Sequence, residues 1–152
     1  MPKPVIKIDC PCGSGSLYQD CCEPYHLSLS APTAEKLMRS RYSAYVLGLE
    51  DYLLNTWHPN TRPKYLNLAN DRTKWLSLEV KHFEPNDDQA IVEFIATYKV
   101  NGKAEKLHET SQFRKIAGRW FYIDDEAQVW NSTKLTFSHI SSIKIHVIGS
   151  MI

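Results

Sequence analysis

A chain of 152 residues carrying 18 Lys and Arg against 17 Asp and Glu has no broad electrostatic footprint, so nucleic acid is not expected as its main partner, nor is an anionic membrane surface. Its 43% hydrophobic content suits one compact domain with a small appendage, and no window approaches the roughly 20 apolar residues of a membrane span. Met1 to Asp9 holds no apolar stretch long enough for a signal peptide, so the expected address is cytoplasmic, where cysteines are read as thiols, metal ligands or catalytic groups before disulfides.

All four cysteines fall between positions 10 and 22, in the segment CPCGSGSLYQDCC. Alternation along an extended stretch puts Cys10 and Cys12 on one side, with Pro11 turned away. Gly13 and Gly15 permit positive φ, so the chain can fold back and aim N–H groups at the sulfurs. Ser14 or Ser16 is placed to cap a short helical turn through Leu17 to Asp20, which delivers Cys21 and Cys22 as neighbours. Free buried thiols would not cluster this way, and iron–sulfur spacings differ. The reading is one structural zinc per chain, with Cys10, Cys12, Cys21 and Cys22 as ligands. Four protein ligands leave no open position for water, which argues against Lewis-acid catalysis. His26 is the nearby substitute ligand, expected beside the centre or in solvent.

Thr33 is placed to cap a helix whose apolar stripe is Met38, Tyr42, Tyr45 and Leu49, with a break at Gly48. A second helix is expected from Glu50 to Trp57, stopping before Pro59. Residues 58–73 read as a long connection. The period then changes to two: Leu76, Leu78 and Val80 alternate with polar residues, and Glu84 to Asp88 reads as a turn. Ala90 to Val100, the Asn101-Gly102 hairpin signal, Lys106 to Ile116 and Arg119 to Asp125 complete a four-strand meander. Helices first and antiparallel strands afterwards is the α+β order, with the helices covering one sheet face.

CPCGSGSLYQDCC resembles the SEC-C motif, the zinc-binding element named after the C-terminus of the SecA translocation ATPase. EPYHLSLSAPTAEKLMRSRYSAYVLGLEDYLLNTWHP, LHETSQFRK and GRWFYIDDE resemble the YchJ family of bacterial proteins. The resemblance implies a SEC-C knuckle at 1–27 and, at 28–130, a domain similar to nuclear transport factor 2, a cone of helices and a curved antiparallel sheet. It implies no reaction. Family members commonly end in a second SEC-C motif, whereas this chain ends in NSTKLTFSHISSIKIHVIGSMI. Residues 131–152 are therefore read as an atypical tail, with strand-like alternation at Ile143, Ile145 and Val147.

A curved sheet closed by a helix often leaves a concave cavity, and five residues are candidates to line it. Arg41 borders the buried stripe and needs an acidic partner, Glu109 or Asp124, or a ligand; Arg39 lies well round the helix and is expected in solvent. Trp57 and His58 close the second helix, where His58 caps the C-terminus or serves as a ligand or acid–base group. His108 and Glu109 are adjacent on a strand and face opposite ways, so one of them points inward. Tyr122 packs in the core or lines the pocket. No phosphate loop, Ser–His–Asp order or metal-spaced histidine pair is present, and no catalytic residue is assigned. Two functions compete: an adaptor whose knuckle presents a rigid surface to another protein or a ribosomal component, and a small-molecule-binding protein or enzyme using the cone.

Overall fold

A computed structural model describes residues 7–125. The expected tail and its alternation at Ile143, Ile145 and Val147 lie outside the described residues. The chain enters through the cysteine segment and a short helix α1 (Glu23–Leu27), which has a proline in its first turn. Helix α2 (Ala34–Leu47) starts where the Thr33 hydroxyl accepts from the Lys36 N–H and stops at Gly48, whose φ of 75° is left-handed. Helix α3 covers Glu50–Asn55. It is shorter than expected: Thr56 is its C-terminal cap, and the next N–H, of Trp57, bonds the Leu54 carbonyl three residues back instead of four. The long connection is tied down by the Glu50 carboxylate, which accepts from the Leu68 N–H at 2.9 Å.

Four antiparallel strands follow in sheet order β1-β2-β3-β4: β1 (Lys74–Asn86), β2 (Gln89–Val100), β3 (Lys103–Ile116) and β4 (Arg119–Asp125). The hairpins turn at Asp87, Asn101-Gly102 and Ala117-Gly118, all with positive φ at those residues. One expectation needs correcting. Glu84 and Pro85 are not in a turn; they are the end of β1, paired with Ile91 and Ala90. Proline is tolerated there because β1 is an outer strand whose missing N–H breaks no second ladder.

Register shifts within the β1–β2 and β3–β4 pairs bend the sheet. Leu78, Val92, Phe94, Ala96, Tyr98, Leu107 and Phe113 face the helices and are buried. Leu37, Met38, Tyr42 and Leu53 meet them from α2 and α3. The architecture is α+β, a few helices packed on a curved antiparallel sheet. Among the described residues no helix is long and apolar enough to cross a membrane.

Candidate metal centre

A small clasp shapes the cysteine segment. Asp9 bridges Leu17, the Cys10 N–H donates to the Ser16 carbonyl at 2.9 Å, and the Tyr18 N–H donates to the Ile8 carbonyl at 2.9 Å. The loop between reverses through Gly13 (φ 78°) and Gly15 (φ 90°), a conformation that costs glycine little. The Gly13 N–H bonds the Cys10 carbonyl, and the backbone N–H that the loop aims at a sulfur is that of Ser14, on Cys12. A Cβ on Gly13 would stand 3.4 Å from the Leu78 carbonyl oxygen, so the loop lies against β1. Neither serine caps the turn at Tyr18–Asp20, whose N-terminal position is Leu17. Ser14 is used otherwise: its hydroxyl lies 3.1 Å from the Cys21 sulfur.

The turn and α1 then bring the last two thiols to the first two. Cys10, Cys12, Cys21 and Cys22 place their sulfurs within 4.8 Å of one another. Cys12–Cys21 is 3.6 Å and Cys21–Cys22 is 3.9 Å. All four thiols are free. A tetrahedron of sulfurs about 2.3 Å from a central ion has edges of about 3.8 Å, so the sulfurs fit a tetrathiolate metal centre. Cys10, Cys12 and Cys22 are buried and Cys21 is half-buried. Hydrogen bonds from the Cys10 and Cys22 thiols hold the Cys12 thiol far below the ordinary range. The corresponding bonds to Cys10 and Cys12, with burial, push Cys22 up, and burial raises Cys21. Metal binding to this set would displace the protons that burial and these bonds favour on Cys21 and Cys22.

Helix α2 grips this segment from outside. The Ser43 hydroxyl lies 3.6 Å from the Cys10 sulfur. Arg39 is half-buried rather than solvated, donating from Nε to Glu35 at 3.0 Å and from Nη1 to the Cys12 carbonyl at 3.1 Å. His26 Nε2 meets the Ser40 carbonyl at 2.7 Å. A carbonyl can only accept, so that nitrogen carries the proton and Nδ1 accepts from the Tyr18 hydroxyl at 2.6 Å. With both ring nitrogens engaged, His26 is a strut between the knuckle and α2. Burial lowers its pKa and favours the neutral ring this arrangement needs.

Two family models match this chain. "YchJ, middle NTF2-like domain" covers residues 33–125 and "SEC-C motif" covers residues 9–24. The chain belongs to the YchJ family. A UPF0225 protein of Chromobacterium violaceum is 55% identical over 128 residues, covering 80% of this chain and 94% of that one. A UPF0225 protein of Bordetella pertussis is 50% identical, covering 81% and 96%. The solution structure of a SEC-C motif containing protein from Rhodopseudomonas palustris superposes with a TM-score of 0.72 at 38% identity, over 78% of this chain and 97% of that one. A crystal structure of a SEC-C motif containing protein from Psychrobacter arcticus gives 0.67 at 34%, over 76% and 80%.

In this YchJ-family chain the five cone candidates separate. Arg41 is fully buried, donating to the Leu53 carbonyl at 2.7 Å and the Thr56 hydroxyl at 2.6 Å. Its guanidinium lies over the rings of Trp57 (5.1 Å) and Tyr122 (4.8 Å), so these three residues meet. The two histidines do not join them. His58 lies beyond the end of α3 and does not cap it; its Nδ1 accepts from the Asn60 N–H at 3.0 Å, and its ring faces Phe121. His108 is on the outer sheet face, 2.7 Å from Glu93, while its neighbour Glu109 takes the inward position. The helices cover the face that Leu107, Glu109 and Ser111 share, which leaves His108 outside. Replacing His108 by Ala should change stability by less than about 0.5 kcal/mol in urea unfolding, as for other exposed side chains. A larger loss would return His108 to the core.

Sequence reading missed Ser14, Ser43 and Arg39. The available signal was spacing on α2: at about 100° per residue, Arg39, Ser40 and Ser43 form one polar patch nearly opposite Arg41 and Tyr45.

Proposed function

We propose that this chain is a zinc protein of the cytoplasm in which a structural tetrathiolate holds an interaction module against the cone-like domain. The observation that carries the reading is the set of four converging thiols, three of them buried. Soft sulfur donors in tetrahedral array suit zinc or iron–sulfur, the C-x-C and adjacent-cysteine spacing departs from the usual iron–sulfur patterns, and a centre closed by four protein ligands leaves no site for a substrate. The module's partner is another protein or a ribosomal component. Apolar exposure supports this: Leu27 is 75% and Leu29 60% exposed, beside an open groove of about 410 Å³ that Leu37, Tyr52, Arg119 and Trp120 also line.

Elemental analysis should find about one zinc per chain. A photocrosslinking side chain at Leu29 should capture a partner only from zinc-loaded protein, while one at His108 should not. Equal capture at both positions, or at Leu29 after zinc removal, would count against the adaptor role. The second reading, a small ligand in the cone, is favoured by Trp57 Nε1 and Ser111 Oγ, which are buried without hydrogen-bond partners among the described residues. Against it, Tyr42, Trp57, Tyr98, Phe113 and Tyr122 fill the interior, which supports the adaptor.

A further inference from the structure

We propose that helix α2 completes the metal centre, with Ser43 and Arg39 acting as positioning residues, so that metal is held tightly only by a knuckle docked on the cone-like domain. This rests on the metal-binding reading above. Residues 9–24 supply all four sulfurs, but not all of the groups around them.

Ser43 has no exposed surface. A serine inside a helix ordinarily turns its hydroxyl back to a carbonyl of the preceding turn; Ser43 instead points at Cys10, 3.6 Å away. A metal-bound thiolate carries no proton and can only accept, so Ser43 must donate. A hydrogen bond to a charged sulfur in a dry site is stronger than one between neutral groups.

Arg39 lies one turn earlier on the same face. It fixes the Cys12 carbonyl at 3.1 Å and is itself held by Glu35. Its charge sits beside a centre that would carry a net −2 from four thiolates and one divalent ion. Within the knuckle, Ser14 gives Cys21 the same kind of contact. The donor to Cys10 therefore comes from a residue 33 positions away in sequence. The centre is shared between two parts of the chain.

The test uses the full chain and a chromophoric chelator competing for zinc. Ser43→Ala should lower zinc affinity about 10- to 100-fold, the usual effect of removing an outer partner of a metal ligand, and Ser43→Thr, which keeps the hydroxyl, should recover most of it. With cobalt in place of zinc, Ser43→Ala should move the sulfur-to-metal charge-transfer band to longer wavelength, because a sulfur without its donor is easier to oxidise. A packing defect alone would not shift that band. Arg39→Gln should also weaken zinc binding, and less so at high salt. Wild-type affinity and an unshifted cobalt band in Ser43→Ala, with metal lost from Cys12→Ser, would overturn the role of α2 and leave the metal reading standing. A wild-type chain that takes up neither zinc nor cobalt would overturn both. Should Ser43→Ala fail to fold, wild-type zinc affinity in Arg39→Gln would overturn the proposal by itself.

Discussion

Changing Cys12 to Ser is expected to yield a chain without metal, whose residues near 8–29 lose their fixed structure while the sheet persists. Cys12 has no exposed surface, its sulfur is 3.6 Å from that of Cys21, and its carbonyl anchors Arg39. Structural zinc supplies on the order of 10–16 kcal/mol to a knuckle of this size, far more than so few residues can gain from burying apolar surface. Amide spectra of the variant should therefore show collapsed dispersion for residues 8–29. Shifted but sharp signals are expected for α2, which loses its outer contacts, and native signals for β2 and β3. Full zinc content in this variant would sink the ligand assignment. Global unfolding would show that knuckle and sheet form one cooperative unit, joined through the apolar cluster that Cys10, Cys12 and Cys22 share with Leu37 and Met38.

Replacing Arg41 by Met should cost about 3 kcal/mol or more of stability, because buried acceptors stripped of a charged donor cost about 1–3 kcal/mol each. The Leu53 carbonyl loses a donor at 2.7 Å and the Thr56 hydroxyl one at 2.6 Å. The Thr56 hydroxyl keeps its bonds to the Tyr52 carbonyl at 2.8 Å and to the Leu53 carbonyl at 3.3 Å, which offsets part of the loss. The rings of Trp57 and Tyr122 lose the cation between them as well, worth about 0.5–2 kcal/mol at such sites. Methionine nearly preserves the volume, which keeps a large cavity from contributing. Denaturant unfolding should show a lower midpoint with the slope unchanged. An unmoved midpoint would mean that burial of the guanidinium costs as much as its bonds return.

Local signals were read well because the physics behind them is local. Thr33 and Gly48 bound α2 as expected, and Asn101-Gly102 and Ala117-Gly118 turn the hairpins through positive φ. The cysteine spacing gave the sulfur cluster for the same reason, since thiols at most 12 positions apart need only one tight loop to meet. What escaped was set by distant partners. Period two says that His108 and Glu109 face opposite ways, but only the helix cover and Glu93 decide which is inside. Pro85 looks like a turn until β1 is known to be an outer strand. The contacts of Arg39 with Cys12 and of Ser43 with Cys10 span 27 and 33 residues, and no local pattern encodes a docking angle.

The resting place of the knuckle loop has one more effect. Gly13 lies against the Leu78 carbonyl on β1, and the outer strand of a sheet is a template on which another copy can pair. Elsewhere along β1 such pairing is discouraged by two register shifts, by Pro85 and by the charged Glu79, Lys81 and Glu84. Around Leu78 the guard is the loop. If the loop is held there by a metal, a chain that loses the metal is expected to pair through this edge before its sheet unfolds.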